Sequence, residues 1–255
     1  MSLKNALLAS AASTLLLTTA FPAIAAPIKN IVLVHGAFVN GSGWKPVFEI
    51  LVKDGYHVSV AEHPLTSFND DVTAVNRVLA AQDGPTILVG HSYGGAIITD
   101  AGKDSHVVGL VYIAAHALDQ GETEAANGKQ FPNATKAIKK TADGFLYLDP
   151  AFYPADFAAD LSREQAEFEA QAQELTAASV FTTPAGVPAW KTKPSWYAIA
   201  KSDRIINPDL QRMYAKRAHS HTIEVEGASH SVYESHPKEV AALIEEAANH
   251  AVDGK

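Results

Sequence analysis

Three short segments of this chain hold residue types that can do nucleophilic chemistry together. The first is Gly90-His91-Ser92-Tyr93-Gly94, a serine between glycines in the pattern G-x-S-x-G. The second is Lys201-Ser202-Asp203, and the third is Gly227-Ala228-Ser229-His230. A serine hydroxyl is a poor nucleophile at neutral pH. It needs a base within hydrogen-bond reach and a third group to orient that base. Ser92, His230 and Asp203 fit these roles, in the chain order Ser, Asp, His that a serine on a strand-to-helix turn calls for. The chemistry would be acyl transfer.

Each residue has competitors. Asp209 also follows the late strand, but it falls in the first turn of a helix, where a carboxylate that complements the helix dipole is the simpler reading. His236 precedes Pro237 and reads as a surface residue near the last helix. His35 and His91 sit at strand ends beside glycines and read as hydrogen-bonded packing residues. Acyl transfer also develops negative charge on the former carbonyl oxygen. One preorganised N–H donor stabilises that charge by about 3 kcal/mol. The expected donors are the N–H of Tyr93 and one from the loop His35-Gly36-Ala37-Phe38. Ala37 is assigned there, with Phe38 as runner-up. The plain alternative for His-Gly-Ala is a strand-to-helix turn.

These residues need a scaffold, and the hydropathy pattern supplies one. Apolar runs of strand length occur at Asn30 to His35, Tyr56 to Val60, Thr86 to Val89, Val107 to Ala114, Ser195 to Ala200 and His221 to Val225. Helical stretches lie at Trp44 to Lys53, Asp70 to Ala81, Gly95 to Lys103, Pro208 to Arg217 and Pro237 to His250. This alternation predicts an α/β fold with a mostly parallel sheet and helices on both faces. Ser92, Asp203, His230 and Ala37 then all fall at carboxyl ends of strands, where such folds bind ligands.

The alternation lapses from Ala117 to Trp190. One helix is expected there, Ser162 to Ser179, opened by a Ser-x-x-Gln capping pattern. Leu161, Phe168, Ala172 and Leu175 are its apolar stripe. The expected division is a core of residues 26–116 and 191–255, with residues 117–190 as an inserted lid. Its aromatics, from Phe131 through Tyr153 and Phe157 to Trp190, either line a pocket or form the lid's own core. Phe38 and Trp190 are the expected substrate-lining side chains.

The 255 residues carry a formal net charge of −8 and no cysteine. Thiolate nucleophiles and cysteine metal sites are excluded. No basic run suggests a nucleic-acid partner. Lys4, the apolar run Ala6 to Phe21 and the small residues Ala23-Ile24-Ala25 read as an export signal, residues 1–25, cut after Ala25. Losing Lys4 and no acid takes the charge from −8 to about −9. A periplasmic or secreted protein with no membrane span after cleavage is expected. The sequence carries no signal for an oligomeric state.

Taken together, VLVHGA, GHSYGG, KSDRIINP and GASH resemble the α/β-hydrolase superfamily over the whole mature chain. Within it, VLVHGAFVNGSGWKPV followed by LVKDGYHV is similar to the plant methylesterase and hydroxynitrile lyase branch and its bacterial relatives. The resemblance implies Ser92 as nucleophile, His230 as base, Asp203 as orienting acid, and Ala37 and Tyr93 as oxyanion donors. The lyases carry a lysine after the catalytic histidine and a threonine in the first loop. Here Ser231 and Gly36-Ala37 stand there, which argues against cyanohydrin cleavage.

The expected activity is hydrolysis of small apolar or aryl carboxylic esters through an acyl-enzyme, with no metal or cofactor. Lactonase or perhydrolase chemistry would use the same triad. A non-catalytic ligand binder on the same fold is the rival from another class. A dehydrogenase is disfavoured. Tyr197 and Lys201 have the Y-x-x-x-K spacing but fall on and after a strand, and the Gly36, Gly41, Gly43 spacing is not that of a dinucleotide loop.

Overall fold

The continuous apolar runs become the central strands, and the polar-interrupted runs become the edges. In the computed structural model, which describes residues 28–251, β1 (Asn30–Val34), β3 (Thr86–His91), β4 (Val107–Ile113) and β8 (Ser195–Ala200) are almost wholly buried. β2 (His57–Ala61) and β9 (His221–Val225) are partly exposed and lie at the two edges. The order is β2-β1-β3-β4-β8-β9, with every pairing parallel. The expected signal, residues 1–25, lies outside the described residues.

Side chains alternate across this sheet with period two. Ile31, Leu33, Ile87, Val89, Trp196 and Ala198 face one core, while Val32, Val34, Leu88, Tyr112 and Tyr197 face the other. The first core is covered by α1 (Lys45–Lys53) and α9 (Pro237–His250). The second is covered by α2 (Phe68–Leu79), α3 (Gly94–Ala101) and α7 (Pro208–Arg217). Among the described residues, no helix is long and apolar enough to cross a membrane.

Between β4 and β8 the chain builds a cap over the second core. It contains α4 (Glu124–Gln130), α5 (Tyr153–Asp156), α6 (Arg163–Gln171) and a small antiparallel sheet of β5 (Ile138–Lys140), β6 (Phe145–Leu148) and β7 (Thr176–Ala177).

The helix expected over Ser162 to Ser179 is shorter than its pattern suggests. It ends at Gln171, because Gln173 bonds both Leu148 N and Leu148 O at 2.9 Å. Thr176 and Ala177 then pair with Leu146 and Phe145. Tertiary pairing overrides helical period here. The expected stripe is also incorrect: Phe168 is 72% exposed, and the buried positions are Ala166 and Ala170. Ser162 does cap the helix by accepting from Gln165 N at 3.2 Å. The Gln165 side chain goes instead to Glu169 and Glu234.

Candidate active site

The turn from β3 to α3 forces Ser92 into a left-handed backbone with φ of 54°. That conformation costs a non-glycine residue energy and persists only where its surroundings dictate it. Ser92 N donates to Ile113 O at 3.2 Å, and Ser92 O accepts from Gly95 N and His116 N. Glycine is required on both sides. A Cβ at Gly90 would lie 2.5 Å from Gly94 O, and one at Gly94 would lie 2.5 Å from His35 O. The serine is thus held up from the sheet by backbone packed against backbone.

Asp203 occupies the loop between β8 and α7 and is buried. Its Oδ1 accepts from Ile205 N at 2.8 Å and Ile206 N at 3.0 Å. His230 follows β9, in front of the one-turn helix α8 (Val232–Ser235), and is fully buried. His230 Nδ1 lies 2.7 Å from Asp203 Oδ2, and His230 Nε2 lies 2.8 Å from Ser92 Oγ. The carboxylate can only accept, so Nδ1 carries the proton and Nε2 faces the serine hydroxyl as an acceptor. The Phe157 ring stands edge-on against the imidazole, with centroids 4.7 Å apart.

The structure therefore brings Ser92, Asp203 and His230 into one hydrogen-bonded line. Their competitors lie elsewhere. Asp209 sits in the first turn of α7 and binds Arg212. His236 contacts Ser235 and Asp160. His91 Nε2 donates to His230 O at 2.9 Å and so fixes the loop that carries His230. Burial, reinforced by His230, holds the His91 imidazole well below the usual histidine range. His35 bonds Gly36 O and stacks on His63 at 3.8 Å.

The N–H groups of Ala37 and Tyr93 donate to no protein acceptor among the described residues. Phe38 N–H does, giving its hydrogen to Thr176 Oγ1 at 3.1 Å. Of the two candidates in this loop, Phe38 N–H is thus engaged and Ala37 N–H is not, among the described residues. The Tyr93 ring points away and donates its OH to Asp71 Oδ2 at 2.7 Å. Burial and the adjacent Asp71 carboxylate push its phenol far up from the usual range.

Ser92 opens onto a cavity of about 500 Å³ between core and cap. Its walls include Ala37, Phe38, Phe131, Leu146, Phe181 and Leu210, with Lys129 and Lys140 exposed on its lining. Phe38 lines it as expected. Trp190 does not, and this corrects its expected role. It is buried against the core, with Nε1 donating to Leu118 O at 3.0 Å. Tyr153 and Phe157 likewise belong to the core and stack on each other at 4.7 Å.

Sequence reading missed two groups. Gln211 is fully buried and donates from Nε2 to Asp203 Oδ2 at 2.8 Å, while its Oε1 accepts from Ala200 N at 3.0 Å. The available signal was a polar residue on the apolar face of α7, between Leu210 and Tyr214. The other group is His116 with Glu124, both in the cavity wall, Nε2 and Oε2 being 3.2 Å apart. Burial pushes the His116 imidazole down to about 3 and the Glu124 carboxyl well above its usual range.

Residues 31–243 match the model of the alpha/beta hydrolase family. A curated relative, the alpha/beta hydrolase nvfD of Aspergillus novofumigatus, is 25% identical over 88% of this chain and 98% of its own. Among solved structures, a pyrethroid hydrolase from Sphingobium faniae is 24% identical, covers 87% of this chain and 97% of its own, and has a TM-score of 0.74. An extracellular alpha/beta-hydrolase from Paenibacillus is 20% identical over 86% and 98%, with a TM-score of 0.71. An Arabidopsis methylesterase is 18% identical over 86% and 98%, with a TM-score of 0.73. At these identities the solved structures speak to shared fold. With the family match spanning most of the chain, and the parallel sheet and serine turn already described, this protein belongs to the alpha/beta hydrolase family.

Proposed function

We propose that this protein is a serine hydrolase of carboxylic esters. The observation that carries the reading is His230 bridging Ser92 and Asp203 at 2.8 and 2.7 Å beside two free backbone donors. Ser92 Oγ attacks the ester carbonyl carbon while His230 Nε2 takes its proton. Charge on the carbonyl oxygen is received by the Ala37 and Tyr93 N–H groups. The imidazolium then protonates the leaving alkoxide, and an acyl-enzyme remains on Ser92. Water, deprotonated by His230, attacks that acyl group and restores the serine. Asp203 keeps the imidazole in the required tautomer throughout.

The apolar cavity wall supports small apolar or aryl esters, the size of a cavity of about 500 Å³. The methylesterase is named for ester hydrolysis and the pyrethroid hydrolase for hydrolysis of pyrethroids, in line with this choice. The test is hydrolysis of p-nitrophenyl acetate with labelling by a serine-directed phosphonate. The wild type should turn over and label at Ser92, and Ser92→Ala should do neither. Full activity in Ser92→Ala would overturn the mechanism, and ligand binding without labelling would favour a non-catalytic binder. We propose further that the protein is exported. Sequencing the mature N-terminus should then begin at Ala26.

A further inference from the structure

Glu124 shares the cavity with Ser92 but has no part in the acyl-transfer steps. It is the first residue of α4 and is buried. Its Oε2 meets His116 Nε2 at 3.2 Å, and its Oε1 has no protein partner. A buried polar atom left unmatched is costly, because it has given up its bonds to water. Such an atom, on a residue that lines the Ser92 cavity, calls for an explanation.

The neighbouring bonds fix where each hydrogen lies. Arg217 binds both oxygens of Glu122, at 2.6 and 2.8 Å, so Glu122 accepts. Asn127 Nδ2 lies 3.0 Å from Glu122 Oε2 and must be the donor there. The same nitrogen donates to Tyr214 OH at 3.0 Å. The Tyr214 hydrogen then has one acceptor within reach, His116 Nδ1 at 3.2 Å. With Nδ1 accepting, His116 carries its proton on Nε2 and gives it to Glu124 Oε2. The other tautomer would strand the Tyr214 hydrogen in fully buried surroundings. Every hydrogen in the chain from Asn127 is thus used once and Oε2 is the accepting oxygen, so a proton held on this buried acid belongs on Oε1. Burial keeps that proton in place.

We propose that Glu124 is the polar recognition group of the Ser92 cavity, donating from Oε1 to a second oxygen of the substrate remote from the scissile carbonyl. The substrate class is an ester whose otherwise apolar body carries a ketone, ether or second ester oxygen. This rests on the esterase reading and narrows it. The cavity wall near Phe131, Leu146 and Phe181 is apolar, so the unmatched acid is a concentrated polar signal. A site built around a hydrogen bond discriminates strongly, because a substrate lacking the partner leaves the buried group unpaired.

The test uses methyl esters whose acyl chain carries a ketone at stepped distances from the ester carbonyl, each paired with its methylene counterpart. At one spacing, the wild type should favour the ketone by about tenfold or more in kcat/KM. Glu124→Leu should bring that ratio to near one. Glu124→Gln, whose amide keeps a donor, should retain most of it. A wild type that treats both members of every pair alike overturns the proposal, whatever the variants do. So does a folded Glu124→Leu that keeps the ratio. If Glu124→Leu does not fold, the wild-type ratio and Glu124→Gln decide. Failure of the esterase reading looks different: neither series is cleaved, or Ser92→Ala cleaves both as fast as wild type.

Discussion

Gln211 Nε2 donates to Asp203 Oδ2 at 2.8 Å, the same oxygen that receives the Nδ1–H of His230 at 2.7 Å. The Asp203 carboxylate is therefore itself oriented, by a side chain eight residues further on, near the start of α7. Oδ1 is held by two backbone donors and Oδ2 by Gln211, so the carboxylate has no freedom to rotate away from the imidazole.

Gln211→Leu keeps the volume and removes all three side-chain bonds, to Asp203 Oδ2, Ile206 O and Ala200 N–H. It strands Ala200 N–H and loosens Asp203. A hydrogen bond to a charged group is worth about 1.5–3 kcal/mol, so kcat should fall roughly 10- to 100-fold. Asp203→Asn should fall much further, by about 10⁴, because it reverses the imidazole tautomer. Steady-state kinetics on one ester, with circular dichroism to verify folding, tests the ranking. Equal losses would mean that Gln211 does more than hold the carboxylate.

Gly94→Ala places a methyl group 2.5 Å from His35 O and 2.7 Å from Val34 O. Backbone must move, and the strand that moves leads into the loop bearing Ala37. Overpacking of this kind costs about 1–3 kcal/mol. Urea unfolding should show that loss, and kcat should drop with it because both oxyanion donors flank the displaced contact.

Acid should destabilise the fold through its buried histidines. His116 sits at about 3 in the folded state, against 6.5 for an ordinary histidine. A depressed histidine binds fewer protons folded than unfolded, so stability is full above pH 6.5 and declines below it. At pH 5.5 the His116 share of that loss is about 1.4 kcal/mol. His91 acts in the same direction. Glu124 acts oppositely: a raised carboxyl is protonated folded and ionised unfolded, so its contribution declines as pH rises above about 4.5. In urea melts, His116→Gln should lose less stability than wild type on going from pH 7.5 to 5.5. An identical difference would rule out His116 as a contributor.

Much of this fold was legible because burial dictates it directly. Strands such as Ser195 to Ala200 are apolar on both faces, since helices cover both sides, and their extents followed from that run. Pro208 and Pro237 each begin a helix, where the missing N–H costs nothing. The Ser92 turn was readable from glycines that permit only one arrangement. Where the reading failed, the deciding contacts were long-range. Helix α6 ends because Gln173 reaches Leu148, and Trp190 is claimed by Leu118 O. Gln211 is signalled only by its place on the apolar face of α7, and nothing local marks Glu124 as buried. Their importance comes from partners that only folding brings near.

The cap and the Ser92 turn are joined through the loop that carries Ala37 and Phe38. Phe38 gives its N–H to Thr176, Phe38 O receives Glu174 N at 3.3 Å, and Ala177 N bonds Leu65 O at 2.8 Å. Thr176→Val should therefore reduce kcat as well as alter KM, by about a hydrogen bond's worth, roughly two- to tenfold. Kinetics on two esters of different size would separate this from a change in pocket shape, which would affect the two unequally.

For anyone re-engineering this scaffold, that stitching sets where a chimaera can be cut. Replacing the whole stretch between β4 and β8 with a foreign segment would carry off residues 174–177 and leave the Phe38 amide without an acceptor. An exchange that stops before Glu174 keeps the seam intact. The cap is thus modular up to that point and belongs to the frame around Ser92 beyond it.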